Sequence, residues 1–280
     1  MNEPDQPATD NRLHLHILGS GSKGNCALIE GPRGLIMIDD GFSRREVLSR
    51  MHELDLSEGD VRALILTHEH SDHVKGVSVW CKRFGGELYA SAGTPETREY
   101  LSCLPFAKFS PGDVLEIAGV QVETFPTSHD VMNPVGFRFS YAGDAIGYAT
   151  DTGVLPPGAM RLLAGARILA LESNHDVPML RTGSYPRMLQ DRILSDRGHL
   201  SNAQAAEAAP QLVTDRTEQL IAMHISQENN RPSLAVRALA RALGASLDDE
   251  LGSSATLERG KGKPALHIRA AGQNRPVSLI

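Results

Sequence analysis

Hydrophobic and polar positions alternate in short runs from residue 13 onward. LHLHILG runs into the loop GSGSKGN, then CALIEG, a turn at Pro32–Gly34, and LIMID. That pattern predicts strand, turn, strand. A helix follows, with Ser43 as its cap and Glu46 completing a capping box. Val47, Leu48, Met51 and Leu54 form its apolar stripe. RALILT predicts a buried strand, and a helix is expected through Val77, Trp80 and Phe84 up to Gly85–Gly86. ELYAS predicts a strand, and Thr94–Pro95 the start of another helix. VLEIAG with VQVETFP, and GFRFSYAG with AIGYATD, predict two hairpins. RILALES and EQLIAMHI predict strands, and helices are expected over 185–195, 201–212 and 233–243. The segment 245–264 is rich in Gly, Ser and charge and predicts a surface loop, with ALHIRAA as the final strand. Hairpins with helices woven between them predict mixed sheets covered by helices, an α+β (α/β) architecture.

Composition narrows this little. With 280 residues, 41% of them hydrophobic, the chain can bury one large core. The expected organisation is a disordered lead-in over 1–12 and a single domain over 13–280. The N-terminus has neither a basic start nor an apolar core, and no apolar run approaches the ~18–20 residues that span a bilayer. A cytoplasmic protein without membrane contact is expected. Cys26, Cys81 and Cys103 form no CxxC pair, so no disulfide framework is expected. The net charge of −6 argues mildly against nucleic acid, but the field of bound cations can outweigh a global balance.

The chemistry lies in His68-Glu69-His70-Ser71-Asp72-His73, directly after the strand RALILT. His68 and His70 are two apart in extended backbone, so they point the same way and can share one ion. Asp72 and His73 fall where the next helix begins and can turn toward a second. Imidazole with carboxylate suits Zn, Mn or Fe. His129, Asp151 and His224 each follow an apolar strand. They raise the candidate ligands to seven, the number a dinuclear site needs, with Asp151 able to bridge.

Asp39 in LIMIDDG, THEHSDH, His129, Asp151 and His224 resemble, in that order, the five motifs of the metallo-β-lactamase superfamily. The resemblance implies a four-layer αββα sandwich with two metal ions at one edge, and an Asp39 that steadies the metal loop. LGSGSKGN, LESNHD, the RTGSYP turn, GHLSN and HISQENN are similar to the YycJ/WalJ group over about Leu13 to Leu243. That group implies a 5′→3′ DNA exonuclease acting through hydroxide bridged between the ions. Glu172 and His199 also resemble the proton relay of the ribonuclease Z branch. Read without the resemblance, Glu172 pairs with a nearby base, and His199 precedes a helix capped by Ser201 and Gln204.

Further expectations attach to single residues. His175, Ser226 and Asn229 are candidate substrate contacts. Arg181, Arg187, Arg192 and Arg197 are either a backbone-phosphate surface or a solvated face balanced by Asp191 and Asp196. His14, His16, His52 and His267 are expected on strand or helix surfaces without a role. The implied partner is nucleic acid, DNA rather than RNA. RNA or cyclic phosphodiester hydrolysis, thioester or lactam hydrolysis, and a non-catalytic metal-binding regulator stay open as alternatives. The Glu172/His199 pair speaks against thioester and lactam chemistry, where no separate relay is needed.

Overall fold

A computed structural model describes residues 11–280. The expected lead-in, up to residue 10, lies outside the described residues. Two mixed sheets form in chain order. The first holds β1 (His14–Gly19), β2 (Cys26–Gly31), β3 (Gly34–Ile38), β4 (Val61–Ile65), β5 (Glu87–Ser91) and β6 (Ala107–Phe109). The second holds β7 (Val114–Ile117), β8 (Val120–Pro126), β9 (Val135–Tyr141), β10 (Asp144–Ala149), β11 (Ile168–Glu172), β12 (Gln219–Met223), β13 (Ser246–Leu247), β14 (Ser254–Leu257) and β15 (Leu266–Ala270). A last strand, β16 (Val277–Leu279), returns to the first sheet and pairs antiparallel with β1.

Burial explains the layering. Leu15, Ile17, Ile36, Phe137, Phe139 and Ile221 fill the space between the sheets. In β11, Ile168 and Ala170 face that core, while Leu169 and Leu171 pack on helices outside it. A strand covered on both faces reads as one apolar run, as RILALES does. The helices Asn202–Leu212 and Pro232–Leu243 supply Ala205, Ala209, Val236 and Leu239 to the outer layer of the second sheet. Val47 and Met51 of Arg44–Glu53, with Trp80, cover the first sheet. The result is a sandwich of two sheets with helices on both outer faces, the expected αββα arrangement. Among the described residues no helix is long and apolar enough to cross a membrane.

Some elements differ from expectation. The helix expected up to Phe84 ends at Cys81, and Thr94–Pro95 opens only a short 3₁₀ turn, Pro95–Thr97, in which Thr94 makes no side-chain cap. The segment read as a loop over 245–264 contains β13 and β14, paired antiparallel at the sheet edge. ALHIRAA is not the last strand, since β16 follows it.

One ion pair ties the second sheet to the start of the chain. Arg167 Nε and Nη2 each donate to Asp144 at 2.8 Å, and the Leu13 backbone N–H donates to the same carboxylate at 2.9 Å. Burial pushes the Asp144 carboxyl up, but Arg167 and the Leu13 N–H outweigh it and hold it below the usual range. Asp144→Ala removes the nearer carboxylate of Arg167, which keeps the Leu13 carbonyl and Glu218 at 3.9 Å, and is expected to cost up to about 3 kcal/mol, the low end for a buried pair that loses one member. A depressed folded pKa stabilises above the unfolded value of ~3.9 and is lost as pH falls through the folded value. The wild-type advantage in urea melts should therefore be full at pH 7 and shrink below about pH 4.

Candidate metal centre

The site forms where adjacent strand ends meet. β3 and β4 are parallel, and so are β10, β11 and β12, so their carboxyl ends lie along one edge of the sandwich. Asp39 follows β3, His68 follows β4, Asp151 follows β10, Glu172 ends β11 and His224 follows β12. Asp39, Asp151 and His224 adopt positive φ angles of 58, 53 and 51 degrees. Left-handed backbone costs a non-glycine residue roughly 1–3 kcal/mol. Its recurrence at three strand ends marks the edge where the chain turns to present these side chains.

His68, His70 and His129 place one donor atom each within 4.8 Å of one another, and so do Asp72, His73 and His224. Asp151 lies between the groups. Its carboxylate is 3.3 Å from His73 Nε2, 3.8 Å from His129 Nε2 and 3.1 Å from His224 Nδ1. All seven expected ligand positions thus fall in one cluster.

The donors are set as ligands require. His73 Nδ1 donates to Asp39 Oδ2 at 2.7 Å, His129 Nδ1 to the Gly198 carbonyl at 3.0 Å, and His224 Nδ1 to Glu172 Oε1 at 3.2 Å. His68 Nδ1 lies 3.0 Å from Thr67 Oγ1, while its buried Nε2 has no partner. Outer hydrogen bonds of this kind fix the ring and leave the other nitrogen for an ion. Around a tetrahedral ion with bonds of ~2.1 Å, donors stand ~3.4 Å apart. His70 Nδ1 to His129 Nε2 is 3.2 Å, His73 Nε2 to Asp72 Oδ2 is 3.6 Å, and His224 Nε2 to Asp72 Oδ2 is 3.7 Å. The residues present therefore fit divalent cations.

Electrostatics splits the two sides. Burial and the neighbouring His73 lower His68 far below its ordinary range, and burial with His129 lowers His70 to about 4. Burial also pulls His73 down, but the carboxylates of Asp151, Asp39 and Asp72 outweigh it and hold it up at about 10. Burial favours neutral Asp72, yet His73 and His224 prevail and hold it at about 2. Opposite charges are packed at this edge at a density that an unfolded chain would never assemble.

Asp39 is bonded to the loop that carries His68 and His73. Besides His73, it accepts from the Thr67 N–H at 2.8 Å and from Thr67 Oγ1 at 2.7 Å. Gly41 allows the second support, since a Cβ there would lie 1.7 Å from the Asp72 carbonyl oxygen. Asn25, in the GSGSKGN turn, accordingly reaches the loop. Its N–H donates to the Asp72 carbonyl at 2.8 Å, and its Nδ2 lies 3.0 Å from His73 Nε2.

Glu172 accepts from His199 Nδ1 at 2.8 Å. Burial pushes Glu172 up, but His199 and His224 outweigh it and hold it at about 2. His199 lines a cavity of about 220 Å³ with His70, Asp72, Asp151 and His224. Ser226 lines it too, but His175 and Asn229 do not. His175 is fully buried, with both ring nitrogens unpartnered. Asn229 is buried beneath the helix Val177–Thr182, its Oδ1 against Gly183 and its N–H donating to Ser226 Oγ at 3.1 Å. The polar motifs around them clamp backbone. Asn230 Nδ2 donates to the Ser173 carbonyl at 2.9 Å and exchanges hydrogen bonds with Asn202.

The arginines separate as well. Arg181 and Arg187 both pair with Asp191, and Arg197 donates to the His129 carbonyl. Arg192 lines the cavity and pairs with Asp130 at 2.6 Å. Asp130 Oδ1 stands 3.7 Å from His129 Nε2 and 3.8 Å from His70 Nε2. Sequence reasoning passed over Asp130, whose only signal is its place after His129. It also passed over Glu69, whose Oε1 accepts from the Met132 N–H at 2.9 Å and holds the 130–133 loop against the cluster.

A sandwich of this topology with histidines and aspartates converging at one edge defines a metallo-hydrolase, and the Beta-lactamase superfamily domain matches residues 35–225. The chain belongs to the metallo-β-lactamase superfamily of hydrolases, in the YycJ/WalJ group. It is 35% identical over 235 residues to the exodeoxyribonuclease YycJ of Bacillus anthracis, covering 82% of this chain and 89% of that one. It is 36% identical over 243 residues to the exodeoxyribonuclease WalJ of Streptococcus pneumoniae, covering 83% and 90%. The fold also matches the metallo-β-lactamase fold protein YhfI of Bacillus subtilis, with TM-score 0.67, 13% identity, and coverage of 95% and 99%.

Proposed function

We propose that this hydrolase degrades DNA from a 5′ end with two divalent ions, zinc or manganese, at the cluster. His68, His70 and His129 would hold one ion and Asp72, His73 and His224 the other, with Asp151 within reach of both groups. The observation that carries the reading is the Glu172–His199 pair, 2.8 Å apart, with His199 at the cavity wall and Glu172 buried behind it. The likeness to two exodeoxyribonucleases over most of the chain supports DNA as the substrate class.

When bound, the ions supply a nucleophile at neutral pH and neutralise phosphodiester charge. The rest falls to the chain. Asp39, Glu172 and the Gly198 carbonyl keep the imidazoles in register through their Nδ1 hydrogen bonds. A phosphodiester's leaving oxygen needs a proton as the P–O bond breaks. Glu172 holds His199 by Nδ1, which leaves Nε2 to deliver that proton. The negative Glu172 favours the cationic ring before the transfer; once Nε2 has given up its proton the ring is neutral, its Nδ1–H still on Glu172, and solvent returns a proton to Nε2. Arg192, which lines the cavity in its pair with Asp130, would meet a backbone phosphate there.

End-labelled single- and double-stranded DNA and RNA, incubated with each metal, test this reading. Mononucleotide release from 5′ ends of DNA is expected, with RNA cut more slowly. Good cleavage of a thioester with no cleavage of any DNA would overturn it. Ion loading should also move protons, since imidazoles ligate only when neutral. Carboxylates hold His73 at about 10 and raise His224 against its burial, so without ions both rings favour the protonated form. Calorimetry in buffers of different ionisation enthalpy should show release of about one to two protons per protein. Release near zero would mean that these rings are not ligands.

A further inference from the structure

At the opposite flank of the first sheet a second set of donor side chains converges. Leu15 and Ile17 of β1 pack between the sheets, so His14 and His16 stand on the other face, two residues apart on one side of the strand. In the pairing of β1 with β2, His14 lies opposite Glu30, and in the pairing with β16, His16 lies opposite Ser278. His14 Nδ1 is 3.1 Å from Glu30 Oε2, and His16 Nε2 is 3.0 Å from the same oxygen. One donor atom from each of the three lies within 4.8 Å of the others. His16 is buried, which corrects the expectation of a surface ring without a role.

We propose that His14, His16 and Glu30 form a further metal site, for a divalent transition cation with zinc the best fit. Two imidazoles and a carboxylate are a zinc donor set, and three protein ligands leave a fourth position for water. The separations near 3 Å suit donors around one small ion. Ser278 Oγ lies 2.7 Å from His16 Nδ1, so that nitrogen has its outer partner while Nε2 faces the glutamate. The same division of labour orients the rings of the main cluster. The Glu30 side chain is 44% exposed, so an ion can enter from solvent. Burial lowers His16 against the pull of Glu30, which favours the neutral ring that a ligand needs, and His16 and His14 lower Glu30 against its own burial. An ion here would join β1 to β2 directly and reach β16 through Ser278. It would fasten the two ends of the chain and so contribute to folding stability rather than to turnover.

The test uses the full-length protein, stripped with chelator, reloaded with zinc, dialysed and counted by mass spectrometry. Glu30→Gln and His14→Asn should each hold about one equivalent of zinc less than wild type. Their zinc-dependent rise in Tm should shrink, with turnover of a phosphodiester unchanged. Cobalt substitution gives a second readout, a share of the wild-type visible absorption that both variants lack. Equal zinc counts in wild type and both variants would overturn the proposal. So would a fall in zinc accompanied by loss of turnover, because the missing ion would then belong to the main cluster.

Discussion

Asp72→Ala is expected to abolish turnover while leaving the protein folded. Asp72 stands at the open edge, its carboxylate 3.6 Å from His73 Nε2 and 3.7 Å from His224 Nε2. It belongs to none of the three hydrophobic clusters, so its loss creates no cavity. On the proposed assignment, what it removes is a direct donor to the second ion. Losing an outer hydrogen-bond partner of a metal ligand costs roughly 10–100-fold in affinity or activity. Losing the ligand itself should cost more, and the variant should also hold less metal than wild type. Circular dichroism and Tm should stay close to wild type, which separates the effect from misfolding. Full activity at neutral pH in this variant would remove the two-ion mechanism.

His199→Ala tests the relay and should divide substrates by their leaving groups. An unactivated phosphodiester leaves as a poor alkoxide, so losing its proton donor should slow turnover of DNA by about 10²–10⁴-fold. An activated aryl phosphodiester departs unprotonated and should be cut nearly as fast as by wild type. Glu172→Gln should slow DNA cleavage as well, since a neutral amide no longer stabilises the cationic ring. Its effect will be broader, because Glu172 Oε1 also accepts from His224 Nδ1 at 3.2 Å. Equal loss on both substrates in His199→Ala would leave this residue a structural role only.

The arrangement also accounts for why the group-specific motifs divide in two. His199, Ser226 and Asn174 line the cavity, with the fully buried Glu172 behind His199, whereas Asn202 and Asn230 clasp each other and the Ser173 carbonyl away from it. Buried amides of this kind need every partner, because an unpaired one costs ~1–3 kcal/mol. The second half of the chain is therefore polar where it looks loop-like, yet tightly bonded.

By itself the sequence determined the elements and the chemistry that depend on neighbours in the chain. The apolar run RALILT, and its end at THEHSDH, pointed to His68 and His70 on one side of a strand end. Single polar residues after the apolar strands pointed to His129, Asp151 and His224 because a buried strand has nowhere else to put them. The capping boxes at Ser43 and Ser201 were legible for the same local reason and are formed. Tertiary structure alone decided the rest. His16 looked like a surface ring until β16, from the far end of the chain, paired beside it. Asn229 and His175 looked available until packing closed over them, since burial is set by which elements lie above a residue and not by its own sequence context. Asp130 and Glu69 acquire their places only when the 130–133 loop folds against the cluster. Thr94–Pro95 carried a helix start, but the turn stops after one 3₁₀ step, with Thr94 Oγ1 engaged by Ser91 and the Met132 carbonyl instead of capping. A side-chain hydroxyl bonds to the partner that the fold brings nearest, and that partner lies about forty residues away in sequence.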